Sequence, residues 1–147
     1  MLRNKQQGFT LIELIMVIVI LGILAATALP KFASMGADAR LSVLKGGLGS
    51  VNSAIAIAHA QALIKGQTGA TGTVDLEGST VNLVYGYPKK STDGIDLAVN
   101  VTGDLSIASG VLTISGVADA TKCTTTYTQA TASAPASAAL VASPDCS

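Results

Sequence analysis

The sequence predicts an α+β fold, in which a long N-terminal α-helix packs on a small antiparallel β-sheet. Three observations support it: an apolar run near the N-terminus, an apolar stripe of helical period after it, and short β-type runs separated by turn residues. At 147 residues the chain has room for one modest globular domain. Its formal net charge is zero, so no basic field is available to hold nucleic acid.

The apolar run covers residues 9–29 and contains one charged residue, Glu13. A helix rises by about 1.5 Å per residue, so this run spans about 30 Å, the thickness of a bilayer hydrocarbon core. Arg3 and Lys5 precede the run. Basic residues favour the cytoplasmic side, which sends the rest of the chain across the membrane.

A plain secretory signal is the alternative to a membrane anchor, and Ala25, Ala26 and Ala28 could supply its cleavage site. Glu13 argues against it, because a carboxylate in an apolar span costs about 2.5–3.5 kcal/mol and normally marks a functional contact. If the chain is cut just before Phe9, the new α-ammonium of a neighbouring subunit could neutralise Glu13. A monomer in lipid has no neighbouring subunit and would leave Glu13 without that ammonium. Assembly would therefore give Glu13 a counter-charge that the monomer lacks.

Residues 8–13 read GFTLIE and open the apolar helix. This pattern closely resembles the type III signal of type IV pilins and of type II secretion pseudopilins. The resemblance implies cleavage after Gly8 by a membrane-bound prepilin peptidase, which also methylates the new N-terminal residue, Phe9. It assigns Glu13 to assembly, together with Pro30, which matches the helix-kinking proline of the family.

The resemblance also implies how the chain is organised. Residues 1–8 would be the leader, residues 9–30 the transmembrane and assembly helix, and residues 31–147 the periplasmic or extracellular head, with a helix over 31–65 and a sheet over 73–118. The chain would cross the inner membrane once, with a cytoplasmic N-terminus, before it joins an extracellular fimbria. The implied partners are further copies of the chain, the prepilin peptidase and methylase, the inner-membrane pilus assembly machinery with its minor pilins, and a receptor on a host or abiotic surface.

An apolar stripe predicts that the helix continues beyond residue 40. Its members recur at alternating steps of three and four residues: Leu41, Leu44, Leu48, Val51, Ile55, Ala58 and Ala62. Serines occupy the opposite side, so this half of the helix is amphipathic and needs a partner surface. Gly66 is expected to end it.

Five β-type runs follow, at residues 73–76, 80–87, 95–101, 105–109 and 111–117. Glycine, proline and an Asp-Gly pair separate them, which predicts an antiparallel meander of four or five strands. One face of such a sheet needs a cover, and the apolar stripe of the helix can supply it.

Cys123 and Cys146 are the two cysteines of the chain. In a chain delivered outside the cytoplasm, an even pair predicts a disulfide bond. The bond would close the Ala-, Ser- and Thr-rich C-terminal segment into a loop and contribute about 3 kcal/mol in the chain-entropy model. That segment cannot bury much by itself, so the disulfide is expected to hold it on the sheet.

Scattered segments resemble the major pilins of mannose-sensitive haemagglutinin fimbriae. They are residues 28–32, 38–40, 85–88 and 122–128. This finer resemblance implies an adhesive, retractable surface fimbria of a Gram-negative bacterium.

Enzyme and cofactor functions find little support. His59 is the single histidine and lacks the partners that a catalytic triad or a histidine-rich metal site needs. Asp93, Asp96 and Asp104 could approach one another as Ca²⁺ ligands, as in a secretion pseudopilin that has a calcium site in place of the C-terminal disulfide. Besides the pilus subunit, two hypotheses therefore remain: a secretion pseudopilin, and a membrane-anchored periplasmic binding module.

Overall fold

A computed structural model describes residues 8–147, with the side chain of Ala33 excepted. The predicted leader lies outside the described residues except for Gly8. The described chain divides into two compact units, with the division between Gly36 and Ala37. Its elements follow in the order α1 (Leu11–Ile64), β1 (Gly72–Leu76), β2 (Ser79–Val84), β3 (Tyr87–Pro88), α2 (Ile95–Ala98), β4 (Leu105–Ala108), β5 (Val111–Ile114), a 3-10 turn (Ala120–Lys122), β6 (Thr124–Thr128) and β7 (Ser137–Leu140).

The apolar stripe of α1 faces the core of the second unit, as predicted. Its buried members are Leu44, Val51, Ile55, Ala58 and Ala62. The serines of the opposite side, Ser42, Ser50 and Ser53, are exposed. The packing of an amphipathic half-helix on the strands is thus confirmed.

Gly66 ends α1 through its backbone conformation. Its φ is +66°, in the left-handed region that glycine adopts at low cost. The N–H of Gln67 donates to the carbonyl oxygen of Ala62 at 2.7 Å. The N–H of Gly66 donates to the carbonyl oxygen of Leu63 at 3.3 Å. These two bonds form a Schellman motif, which satisfies carbonyl groups that the last turn would otherwise leave free.

Strands β1, β2 and β3 form one antiparallel sheet in that order. Two-residue turns join them at residues 77–78 and 85–86, and all four turn residues have φ between 50° and 84°. Positive φ at both positions is the type I′ geometry, which matches the twist of a hairpin. The prediction of one strand over residues 80–87 is therefore wrong, because the second turn folds the chain back and pairs Val84 with Tyr87.

The strand predicted over residues 95–101 is also wrong, since the structure has one helical turn, α2, at its start. Ile95 and Val99 are buried, whereas Leu97 between them is 48% exposed. A strand would place all three on one face, but a helical turn brings only residues four apart to the same side. Gly94 permits this tight turn, because a Cβ there would lie 2.1 Å from a backbone carbonyl oxygen.

The α2 turn separates the strands into two sheets instead of one meander. Strands β4, β5, β6 and β7 form the second sheet, in that order. The Ala-, Ser- and Thr-rich segment contributes more to the fold than predicted, because it supplies β6 and β7. Tyr127 of β6 is 1% exposed, and its hydroxyl donates to the carbonyl oxygen of Pro88 in the first sheet. Burial raises the pKa of Tyr127, which keeps this donor protonated.

The C-terminal segment is fixed by a disulfide between Cys123 and Cys146, as predicted. Their Cα atoms are 5.0 Å apart, and both residues belong to the buried core. A guanidinium nitrogen of Arg40 on α1 donates to the carbonyl oxygen of Cys146 at 3.1 Å. The N–H of Ala118 donates to the carbonyl oxygen of Ser147 at 2.9 Å. The last residues are thereby bound to both the helix and the chain beyond β5.

Candidate assembly segment at the helix N-terminus

The first part of α1 leaves its apolar side chains without protein cover. Between Leu11 and Leu29 the large apolar side chains are 45% to 75% exposed. Among the described residues one helix, α1, is long and apolar enough to cross a membrane. Exposed apolar surface costs about 25 cal/mol per Å² in water, so this segment needs lipid or other apolar helices around it.

Thr10 and Glu13 cap the start of α1 reciprocally. The carboxylate of Glu13 accepts from the backbone N–H of Thr10 at 2.8 Å and from its hydroxyl at 2.7 Å. The N–H of Glu13 in turn donates to the hydroxyl oxygen of Thr10 at 3.3 Å. This is a capping box, in which two N–H groups that the first turn leaves free are satisfied. The carboxylate therefore has a hydrogen-bond partner within its own chain, which the sequence analysis did not foresee.

Gly8 and Phe9 precede the helix, and both are exposed. A Cβ added at Gly8 would meet no atom of the described residues within 4 Å, so packing against this part of the chain does not require glycine at this position. Phe9 and Glu13 border the same open groove along α1. The predicted cleavage position and the predicted assembly carboxylate thus lie together at one end of the helix.

Pro30 lies inside α1 and does not end it. Proline has no N–H, so the carbonyl of Ala26 loses the bond that a regular helix would give it. One turn earlier, the hydroxyl of Thr27 donates to the carbonyl oxygen of Leu24 at 3.0 Å. The predicted role of Pro30 in assembly stays a prediction.

His59 has a structural role in the second unit. Its ring stacks on that of Tyr87 with the centroids 4.0 Å apart, and its Nδ1 lies 2.9 Å from the carbonyl oxygen of Gly86. The histidine thus supports the turn between β2 and β3 against α1.

The aspartates considered as calcium ligands hold separate turns. Asp96 accepts from the N–H groups of Ser109 and Gly110 at 2.6 and 2.8 Å. Asp104 accepts from the hydroxyl of Ser115 at 3.0 Å. Over the part of the chain that the structure describes, no three His, Cys, Asp or Glu side chains are grouped to hold a metal ion.

The N-terminal segment matches the family described as the prokaryotic N-terminal methylation motif, over residues 3–29. The chain is 46% identical over 55 residues to the type II secretion system core protein G of Pseudomonas aeruginosa, a match that covers 37% of this chain and 39% of that protein. It is 51% identical over 51 residues to the fimbrial protein EcpB of Eikenella corrodens, covering 35% and 32%. It is 47% identical over 58 residues to the major component of the type IV narrow pilus of Thermus thermophilus, covering 40% and 50%.

The chain therefore spans between about a third and a half of the length of these relatives. No solved structure gives a significant match to the chain. The described fold adds a long N-terminal helix, antiparallel sheets and a disulfide-closed C-terminal segment to the sequence evidence. By its methylation motif and its relatives, the N-terminal part of the chain is similar to fimbrial and type IV pilus proteins and to a type II secretion core protein.

Proposed function

We propose that the chain is the structural subunit of an adhesive type IV pilus and that it catalyses no reaction. It is made as a prepilin, cleaved after Gly8, methylated at Phe9 and polymerised through its N-terminal helix. The observation that supports this most is the exposed apolar half of α1, with one carboxylate in its first turn. The adhesive role rests on the segments that resemble haemagglutinin-type pilins.

The apolar half of α1 has two successive environments in this proposal. Before assembly it crosses the inner membrane, where lipid covers it. Removal of the leader by the prepilin peptidase creates an α-ammonium at Phe9. The inner-membrane machinery and the minor pilins then bring subunits together, so that apolar helices cover one another. The ammonium of a neighbouring copy neutralises Glu13, and the finished fimbria meets its surface receptor outside the cell.

A secretion pseudopilin is the second candidate, because one relative is a type II secretion core protein. Such a protein would form a short periplasmic fibre instead of a surface filament. The disulfide between Cys123 and Cys146 closes the C-terminal segment in this chain, and the Asp93, Asp96 and Asp104 side chains bond to separate turns. These two observations favour the pilus subunit.

The experiment compares surface filaments from cells that have the chain with those from cells that lack it. We expect electron microscopy to show filaments only where the chain is present. Intact-mass analysis of the sheared filaments should give a subunit that begins at Phe9 with one added methyl group. Gly8→Val should leave a full-length membrane precursor and no filament, because a side chain there obstructs the peptidase, whereas Gln7→Ala should be processed normally.

Two results would contradict the proposal. One is an unchanged number of filaments on cells without the chain. The other is a filament built from subunits that begin at Met1. Loss of secretion with no change in surface filaments would instead support the pseudopilin.

A further inference from the structure

A groove of 240 Å³ lies beside α1 in the second unit, between the helix, the β1–β2 turn and the α2 segment. Two apolar side chains line it and remain exposed, Ile57 at 56% and Leu97 at 48%. Asp75 and Glu77 line the same groove. The groove therefore offers an apolar floor next to acidic groups.

Glu77 is the uncompensated acid of this groove. Asp75 already lies 3.5 Å from the ammonium of Lys65 and accepts from the hydroxyl of Thr80 at 2.9 Å. Glu77 forms neither a side-chain hydrogen bond nor an ion pair with any of residues 8–147. Its φ of +50° is a conformation that asparagine or glycine adopts more readily. A glutamate at this turn position thus adds an exposed negative charge without serving the turn.

A matching basic loop follows β3. Lys89 and Lys90 are consecutive and exposed, and backbone bonds hold both in place. The N–H of Lys89 donates to the carbonyl oxygen of Asn82 at 2.8 Å, and that of Lys90 donates to the side-chain oxygen of Gln129 at 2.8 Å. Within residues 8–147, neither ammonium is in an ion pair. The loop presents two cations on a fixed backbone.

Asp93 lies next to this loop, and it is the charge of Lys89, not of Lys90, that acts on it. Hydrogen bonds from Ser91 and Asn82 lower the pKa of Asp93, and the charge of Lys89 lowers it further. Lys89 is therefore the lysine whose charge acts on Asp93, although the two side chains form no ion pair. The side chain of Lys90 passes close to Gly110 instead, because its Cγ would lie 2.9 Å from a Cβ built there.

Neither lysine lines the groove, and neither is paired with Glu77 within residues 8–147. A second copy could bring the loop and the groove together. We propose, on the basis of the pilus function above, that the Lys89–Lys90 loop of one copy docks in the groove of the next. The aliphatic stem of Lys90 covers Ile57 and Leu97, and its ammonium pairs with Glu77. Such a contact is heterologous, so its repetition builds an open filament when the rotation from copy to copy does not close a ring.

The test is a charge exchange, with filament recovered by shearing as the readout. Glu77→Lys and Lys90→Glu should each lower filament yield by about tenfold or more, because each places like charges in contact. Glu77→Lys combined with Lys90→Glu should restore most of the yield. Asp104→Lys, an equal charge change at an exposed site outside the groove, should leave it unchanged. Glu77→Asn removes the negative charge and places in the turn a residue that adopts positive φ readily. It should lower filament yield by less than Glu77→Lys does.

A membrane blot for processed subunit and thiol labelling accompany each variant, to show that the chain is cleaved and folded. If the parent chain forms filaments and both single reversals form them normally, this contact is wrong and the proposed function stands. If the single variants fail and the double variant fails equally, the pairing of Glu77 with Lys90 is wrong. Absence of filament from the parent chain would overturn the proposed function itself.

Discussion

Glu13 combines two properties that are usually assigned to different residues. It accepts two hydrogen bonds from Thr10 at 2.8 and 2.7 Å, and it is the negative charge of the segment proposed to assemble. The capping box needs only an acceptor, which glutamine also provides. The proposed pairing with the ammonium of a neighbouring Phe9 needs the charge. Substitutions can therefore separate the two roles.

We expect Glu13→Gln to abolish or severely reduce filament while cleavage after Gly8 continues. The amide keeps the capping box but leaves the neighbouring ammonium without its counter-charge, and loss of one partner of a buried pair typically costs about 3–5 kcal/mol. Thr10→Ala is the matched variant. It removes the hydroxyl of the cap, at a cost of about 1 kcal/mol in stability, and keeps the negative charge of Glu13. A blot of the sheared fraction beside a blot of the membrane fraction measures both steps. Normal filament from Glu13→Gln cells would refute the pairing.

The sequence motif identified Gly8, Phe9 and Glu13 as a group. A glycine directly before an apolar run, with a single carboxylate near the start of that run, is a specific pattern. It did not identify Thr10, although threonine three residues before glutamate is the signature of a capping box. The apolar run gives the stronger signal in this segment, and the capping pair lies in its first residues, where a helix start inside a longer apolar run has no change in hydrophobicity to mark it.

At the scale of single elements, α1 shows how one helix presents different faces to different surroundings. Gly46 and Gly47 are neighbours in it. A Cβ at Gly46 would meet nothing within 4 Å, whereas one at Gly47 would lie 2.6 Å from a methyl carbon of Leu112 and 3.0 Å from one of Leu105. Gly47 therefore allows α1 to approach the second sheet closely, and Gly46 faces away from it.

We predict opposite effects of Gly46→Ala and Gly47→Ala on the free energy of unfolding. Alanine raises helix propensity by about 1 kcal/mol at either position. At Gly47 the added methyl also overpacks the contact with Leu112, which is 1% exposed, and overpacking typically costs about 1–3 kcal/mol. Thermal unfolding of the two variants in detergent micelles should give a higher Tm for Gly46→Ala and a lower Tm for Gly47→Ala. Equal shifts would show that the helix can move off the sheet without cost.

The elements that the sequence predicted well are those with a strong period. The stripe of α1 repeats over six helical steps, and only one side of the helix can bury it. Residues 95–101 also alternate like a strand, but the burial of Ile95 and Val99 in a helical turn overrides that pattern. Strands β6 and β7 were missed because alanine, serine and threonine give little hydrophobic contrast. Their pairing with β5 decides their structure, and pairing is not visible in the composition.

At the scale of the whole molecule, the C-terminal segment joins parts that are distant in sequence. The disulfide connects residues 23 positions apart, and Arg40 of α1 bonds to the carbonyl oxygen of Cys146 at 3.1 Å. The N–H of Asp145 donates to the carbonyl oxygen of Lys122 at 2.9 Å, and that of Val141 to the carbonyl oxygen of Thr124 at 3.0 Å. The last residues are held by one covalent bond and several single hydrogen bonds, with no strand of their own after β7.

Removing the disulfide should therefore affect the last residues first and the whole head second. We expect Cys123→Ala combined with Cys146→Ala to lower the free energy of unfolding by about 2–5 kcal/mol, because the unfolded chain gains the freedom that the closed loop denied it. Limited proteolysis should start between residues 141 and 147, where single hydrogen bonds alone would remain. Ser143→Ala, an exposed substitution in the same segment, should change stability by less than about 0.5 kcal/mol. An unchanged Tm in the double variant, or two labelled thiols in the unfolded, unreduced parent chain, would show that the bond does not hold this segment in the assembled protein.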